Sequence, residues 1–533
     1  MRVSRIRVAI LTATALCLYN FSSAQSFYSD NALLYSRVMP GGSARVQSLG
    51  GAQTALGGDY SSAYSNPAGL GMFNHSEFTF SPGMNFANTD ATYFGNSTSS
   101  SNSKFNIPGL SLVLHPGSTN TSGFLGGTFG ITVNRINDFN QSYLYSGTNT
   151  NSSIIDYFIN NSYGSDGRPL DPSTMTYDKN YGPGSNFYNI TALGYNNYLT
   201  DYDSASNSYV SPLSPLTGET RSELQQENIK RSGSQYQVSV AYGGNFSDKL
   251  YLGIAVGFTS FRYNVHQIFT ESNFSFSTDP SYNPVRNFSV DETYNFRGSG
   301  VNLTAGLIYR PVNIFQIGAS IVTPTYYQVT DTYNATVSSY WNNFDYYNNG
   351  QRLNGNISVP FDQASTVNYS IKTPFRFNTG ATFFIGKYGF ITGDVEFVNY
   401  SSAKYSDQND SNDPAFIAGN NADIKSFLTP RSTINFRVGG EYRFDIFRAR
   451  VGYAMYPDPY NDKSIDRTLQ NFTGGIGVKK SKFSVDLAGV YSMTNNVRVP
   501  YTAGSNPAIG FADPVATLKT SNLNFVVTVG FTF

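Results

Sequence analysis

Charge is scarce in this chain. Only 13% of its 533 residues are Asp, Glu, Lys or Arg, and the 35 basic side chains cancel the 35 acidic ones. With no net field to recruit polyanions or acidic substrates, the composition argues against a nucleic-acid partner. Cysteine occurs once, as Cys17, inside an N-terminal segment that reads as removable, so the mature chain is expected to lack disulfides, thiolate metal sites and cysteine nucleophiles. Histidine occurs three times, at 75, 115 and 266, and none belongs to a nucleophile or metal motif. No stretch approaches the roughly 18 consecutive apolar residues of a spanning helix, which excludes a helical inner-membrane protein.

Aromatic and small residues fill the space that charge leaves. Phe and Tyr number 41 and 40, and Gly 49. Such a mixture suits strands with one apolar and one small or polar face. The chain opens with Arg2, Arg5 and Arg7, an apolar run from Val8 to Leu18 and the small triplet Ser22-Ser23-Ala24. This pattern predicts a signal peptide over residues 1–24, and Leu16 before Cys17 does not fit a lipoprotein signal. At the other end Leu523, Phe525, Val527, Val529, Phe531 and the terminal Phe533 alternate with mostly small or polar residues. A soluble protein can close with such a strand. Combined with a signal peptide it points to insertion in an outer membrane.

Period-2 alternation recurs through the chain. In Leu250, Leu252, Ile254, Val256 and Phe258 the large residues share one face, with Gly253, Ala255 and Gly257 on the other. Candidate strands fall near 76–87, 104–114, 125–138, 234–246, 249–268, 292–310, 313–330, 367–386, 388–404, 431–444, 446–456, 467–479, 482–494 and 518–533, about fourteen transmembrane strands. Short links at Ser247-Asp248, Pro311-Val312, Lys387, Asp445 and Lys480-Ser481 alternate with long polar segments, the largest about 139–233. An outer-membrane barrel has this asymmetry of tight periplasmic turns and longer extracellular loops, whereas a soluble sandwich has no reason for it. The expected fold is therefore an all-β, antiparallel transmembrane barrel occupying 75–533.

Residues 25–74 precede the first strand and contain Gly41-Gly42-Ser43-Ala44-Arg45, Leu49-Gly50-Gly51-Ala52 and, from Asp59, a run ending Asn66-Pro67-Ala68-Gly69-Leu70. Asn-Pro alone is a common turn opener. Placed after a Gly- and Ala-rich segment and before strand one, this stretch resembles the N-terminal hatch of the FadL/TodX-type outer-membrane transporters of Gram-negative bacteria. Gly306 to Pro311, Thr323-Pro324-Thr325, Thr373-Pro374-Phe375 and Asp394 to Ser401 resemble the Bacteroidetes branch, some members of which are labelled haemin receptors. The resemblance implies a fourteen-stranded barrel, a lumenal hatch plug, passive uptake of hydrophobic small molecules such as long-chain fatty acids, and an inward kink in the third strand that opens a lateral exit. Contact with outer-membrane lipid and lipopolysaccharide follows from such a location.

In the third strand Phe129, Ile131 and Val133 share the lipid side, so Arg135, after Asn134, falls on that side too. Either it sits at the outer rim, the preferred reading, or a kink resets the register. The opposite face of strands eight to thirteen collects Arg376, Asp394, Glu396, Arg437, Glu441, Arg443, Arg448, Arg450, Lys479 and Asp486. These read as lumenal ion pairs that fix the barrel and meet the hatch, or, in part, as anchors for a substrate carboxylate. No enzyme activity is expected. A phospholipase needs a Ser/His pair in register on the lipid face, for which His266 is the only candidate, and three scattered histidines give no haem-ligand spacing. Asp407, Asp410 and Asp413 lack the pattern of a calcium loop. No cofactor is implied, and an energy-coupled receptor needs about 22 strands. The alternative from another class is an interaction barrel of the same fold, such as a type IX secretion shuttle component holding protein cargo.

Overall fold

The computed structural model describes residues 27–39, 41–164, 166–175, 189–213, 221–276, 282–408, 414–503 and 513–533. The expected signal peptide, with Cys17, lies outside these residues, as do Asp410 and Asp413.

The described residues begin inside the lumen. Helix α1 (Phe27–Ser36) is followed by two single-turn helices, α2 (Ala44–Gln47) and α3 (Ser62–Ser65), and a 3-10 helix, Pro67–Met72. Asn66 starts the last of these because its side-chain oxygen accepts from the Ala68 N–H while Pro67, lacking an N–H, occupies the first turn. The wall then runs as β1 (Glu77–Tyr93), β2 (Asn96–Leu114), β3 (Phe124–Asp138, resumed at Gln141–Asn149), β4 (Ser222–Phe246), β5 (Leu250–Ser275), β6 (Val285–Val312) and β7 (Phe315–Val322 with Tyr326–Asp345). It continues as β8 (Arg352–Pro360, Ser365–Lys372 and Arg376–Phe384), β9 (Gly389–Val398 with Lys404–Asp407), β10 (Thr433–Phe444), β11 (Phe447–Tyr456), β12 (Leu469–Lys480), β13 (Phe483–Arg498) and β14 (Ala516–Thr532). Consecutive strands pair antiparallel, and β14 returns to β1 through pairs from Glu77↔Thr532 to Thr92↔Thr517, closing a 14-strand barrel. Closure leaves no free sheet edge, the condition for strands to cross a bilayer.

Side chains alternate as the sequence pattern requires. Leu252, Ile254 and Phe258 on β5 point outward and are exposed, as are Leu303, Leu307, Phe377, Ile391, Ile434, Val451, Ile476, Leu487 and Val527 around the wall. Tyr309, Tyr388, Tyr442, Phe444, Phe447 and Phe533 form an aromatic girdle at the end that carries the short turns. These turns use residues with positive φ, as at Ser247 and Asp248 (both 56°), Asp445 (52°) and Ser481 (51°), which matches the right-handed strand twist.

Strands continue past the apolar belt farther than hydrophobic periodicity reveals. The link between β1 and β2, expected to span 88–103, is a two-residue turn at Phe94 and Gly95 (φ 44° and 82°), because Ser, Thr and Asn alternate on both faces with no apolar partner to mark them. The loop expected over 139–233 is likewise shorter, since Gln141–Asn149 pairs with β4 from Arg231 down to Glu223. The short links shift by a residue or two; β6, for example, runs through Pro311 and Val312. Two helices of the long loop, α4 (Ile154–Asn160) and α5 (Ile190–Asn196), pack with Phe269, Phe288, Val337 and Trp341 and roof the lumen. Helix α6 (Pro414–Phe427) closes over α1, with the Phe416 ring 5.1 Å from that of Tyr28.

Candidate functional site

The hatch rests on glycines. Gly243, Gly253 and Gly306 stand directly opposite one another in the β4, β5 and β6 ladders. A Cβ on Gly253 would meet the Pro67 carbonyl carbon at 2.2 Å and the Ala68 nitrogen at 2.3 Å; on Gly306 it would meet Asn66 Oδ1 at 1.9 Å. Asn66 Nδ2 donates to the Thr54 carbonyl (2.6 Å) and to that of Leu307 on β6 (3.1 Å), so the motif Asn66-Pro67-Ala68-Gly69 is a seat on the wall. Farther round the same wall, on β9, Asp394 accepts from the backbone of Gln53 (2.7 Å) and Thr54 (2.8 Å).

The sequence-expected lumenal charges gather around that seat. Arg437 pairs with Glu396 (3.2 Å), and Glu441 takes both Arg443 and Arg450 at 2.6 Å, while Arg450 also reaches Asp486 at 2.6 Å. Hatch residue Arg45 lies 3.9 Å from Glu441. Arg376 borders a narrow crevice with Asp394, Glu396 and Arg437 beside hatch residues Thr54 and Tyr64. Lys479 is exposed at the mouth and Arg448 bonds backbone carbonyls at the turn. Glu441 is buried among cations, so Glu441→Ala strands them and is expected to cost about 3 to 5 kcal/mol. A lowered urea midpoint, followed by the heat-modifiable mobility of the barrel, checks this; an unchanged midpoint would contradict the clamp.

Arg135 is not at the outer rim. It is 8% exposed and turned inward, 2.7 Å from Asp138, because β3 bulges between Arg135 and Asn137 against β4 and so inverts its faces. The β2–β3 ladder runs from Leu114↔Phe129 to Gly109↔Asn134 and stops there. Beyond that point the wall has a gap, fastened from inside: the Met39 N–H donates to the Ile136 carbonyl (2.8 Å) and the Gly42 N–H to that of Pro108 (3.2 Å).

Behind this gap lies a cavity of about 430 Å³ between α1 and the wall, lined by Leu33, Leu34, Ile136, Val265, Leu469 and Val490 on its apolar side. Its polar side holds Arg37, Arg135, Arg231, Arg467 and Arg498 against the acids Asp30 and Asp138. Arg498 is committed to Glu227 (2.7 Å), and Arg467 to Asp462 (3.2 Å). Even so, the buried Nε atoms of Arg37, Arg231 and Arg467 have no hydrogen-bond partner among the described residues. Burial pushes the Asp30 carboxyl up from its ordinary range, opposed by the Tyr460 hydroxyl 2.8 Å away and by the guanidiniums of Arg231, Arg467 and Arg498. A second chamber of about 440 Å³ sits under α4 and α5 and shares Gln267 and Arg498 with the first. Stacked rings connect them: Tyr333 to Tyr294 (4.6 Å), Tyr294 to Phe296 (6.3 Å) and Phe296 to Tyr263 (5.6 Å).

Sequence reasoning missed this constellation. Arg231 falls in the stretch read as loop, Arg498 beyond the expected end of strand thirteen, and Arg467 at the first residue of strand twelve. The alternation Glu223, Gln225, Glu227, Ile229, Arg231 is the signal that places one of them on an inward face. His266, the one phospholipase candidate, is engaged by Asp291 at 2.9 Å.

A closed barrel with an apolar outer belt, a seated N-terminal hatch and internal chambers defines a plugged transmembrane β-barrel. No family model and no curated protein matches the chain by sequence. Among solved structures it is similar to a Pseudomonas aeruginosa FadL homologue, with TM-score 0.54 and 12% identity over 93% of this chain and 100% of that one. It also aligns with the P. putida toluene transporter TodX (TM-score 0.49, 11% identity, 93% and 99% covered) and the CymD monoaromatic hydrocarbon channel (0.46, 11%, 93% and 98%). Within its class the chain has the FadL-type fold.

Proposed function

We propose that this protein admits hydrophobic molecules passively across the outer membrane, and that its preferred cargo is amphipathic, with an apolar body and an anionic head such as a long-chain fatty acid. The observation that carries the reading is the half-apolar cavity walled on its polar side by Arg37, Arg135, Arg231, Arg467 and Arg498, which outnumber the acids Asp30 and Asp138 there. A guanidinium presents its donors in a fixed fork, from which a carboxylate accepts bidentately. The cavity lies within the range of about 300 to 1,000 Å³ usual for small-molecule sites. Ligand enters the upper chamber, follows the stacked rings to the arginines, and leaves sideways between β2 and β3 once the Met39 and Gly42 bonds loosen. The domain assignment that accompanies this is a signal peptide at 1–24, a hatch at 25–74 and a barrel from 75 to 533.

Mass spectrometry of the barrel purified in detergent tests the reading. A co-purified anionic amphiphile is expected, whereas protein cargo with an empty lumen overturns it. A pH series adds a second check. Because Asp30 is raised, it gains its proton on acidification before an ordinary aspartate does. The pocket then loses a negative charge, so an alkyl sulfonate, which stays ionised, binds more tightly as pH falls. Asp30→Asn is expected to bind as tightly at neutral pH as the native protein does in acid, and to lose the pH dependence. A sulfonate affinity that is flat with pH in the native protein removes Asp30 from the site.

A further inference from the structure

Outside the lumen, two arginines that the transport reading leaves unused stand directly opposite each other on the barrel wall. On the outer face of β5 and β6, exposed Phe258 stands opposite Val301, then Ser260 opposite Ser299, then Arg262 opposite Arg297. Four residues beyond the last apolar pair is about 13 Å along a strand at the usual rise. With a strand tilt of about 35 to 45°, that carries the arginines out of the hydrocarbon and into the headgroup layer. Like charges directly opposite each other in an antiparallel pair repel. Among the described residues, no acid lies within ion-pair distance of either arginine, and Asp291, on the same outer face of β6, is held by His266 at 2.9 Å.

The flanking positions are polar, and the Ser234 hydroxyl adds a donor, while the Thr330 hydroxyl donates to Asn368 at 2.8 Å. Ser234 on β4 is the ladder partner of Arg262, and Thr330 on β7 that of Arg297. These residues line an outward groove of about 750 Å³, with Lys104 at its edge and no carboxylate among the described residues that line it. We infer that this groove is a binding site for the phosphate of an outer-leaflet lipid, whose chains lie down the Phe258 and Val301 face while the guanidinium forks of Arg262 and Arg297 clasp its headgroup. A phosphate offers acceptor oxygens to both forks and neutralises the repulsion between them. A free anion satisfies the forks equally well; the position directly above the lipid-facing belt is what favours a lipid. The inference concerns the outer surface and is independent of what the lumen carries.

Native mass spectrometry and thermal unfolding of the full barrel in detergent test it, with three probes: lipid A carrying its phosphates, the same lipid with the phosphates removed, and inorganic phosphate. The native protein is expected to retain phosphorylated lipid A about tenfold more tightly than the dephosphorylated form, the scale of charge-assisted hydrogen bonds. Arg262→Gln/Arg297→Gln is expected to lose that discrimination while keeping the lumenal ligand. In lipid-free detergent it is expected to unfold no earlier than the native protein, since the repulsive pair is gone. Arg262→Gln alone, which leaves the rest of the row intact, serves as a second variant with the same sign. Equal retention of the two lipids by the native protein, or undiminished discrimination in both variants, overturns the site. Displacement of lipid A by an equal concentration of inorganic phosphate overturns its assignment to a lipid.

Discussion

Gly253→Leu is expected to yield a barrel that assembles and a lumen that does not close. In planar bilayers the native protein is expected to be nearly silent, and the variant to conduct ions through a persistent pore. The reason is local. The new Cβ would fall 2.2 Å from the carbonyl carbon of Pro67 and 2.3 Å from the nitrogen of Ala68, and both are backbone atoms that no rotamer change can move. Sideways relief is closed as well, because a Cβ at Gly243 would already lie 2.6 Å from the Pro67 oxygen and from the Gly71 nitrogen. Even one extra methylene in a well-packed interior costs about 1 to 3 kcal/mol, and a leucine against a backbone exceeds that. The ladder of β5 is untouched, since Gly253 pairs with Gly243 and Gly306 through the main chain. The strain therefore falls on the turn at Asn66-Pro67-Ala68, which lifts from the wall. Val256→Leu, a lipid-side change on the same strand, is the control and should remain silent. A Gly253→Leu barrel as tight as the native one would show that the hatch is not held by this seat.

Arg231→Gln is expected to weaken binding of a carboxylate amphiphile by about 10- to 100-fold, the range of hydrogen bonds to charged groups, and to leave an uncharged alcohol of the same length nearly unaffected. Arg231 is the informative choice among the pocket arginines. Arg498 is locked to Glu227, so removing it strands a buried acid and confounds binding with folding. Arg231 has no ion pair among the described residues. It touches Gln141 at 3.4 Å, stands 5.7 Å from the Tyr143 ring, and its Nε has no hydrogen-bond partner among the described residues. Removing a buried and poorly compensated charge should also raise the unfolding midpoint. The two results together, weaker carboxylate binding and greater stability, distinguish a ligand anchor from a structural arginine. Calorimetry with laurate and dodecanol as paired ligands reads the first, and an equal loss for both would assign Arg231 to packing alone.

Much of this was open to reading along the chain, and the division has a physical cause. Where one face meets hydrocarbon and the other does not, composition must alternate, so Leu250 to Phe258 or Ile434 to Phe444 declare themselves as strands and their number follows. Turn residues such as Ser247, Asp248 and Asp445 mark the tight end for the same local reason. Arg443 and Arg450 could be placed in the lumen because each stands in such an alternating strand.

The polar halves of the strands carry no such mark. Outside the bilayer both faces meet polar surroundings, and Thr98 or Ser100 on β2 looks like loop although it stands in a ladder with β1. The pocket arginines come from these halves. The bulge at Ile136 is a register event between β3 and β4, set by pairing across the sheet, and it turns Arg135 from the lipid side to the lumen. The sequence by itself thus determined a barrel of about fourteen strands, because a bilayer imposes its pattern residue by residue, whereas the plug was implied by the resemblance of residues 25–74 to a known hatch. Only the tertiary structure decided which charges are spent on holding the plug and which are left facing a cavity. That choice depends on partners hundreds of residues apart, as when Asp394 takes the backbone of Thr54 while the Nε of Arg231 finds none among the described residues.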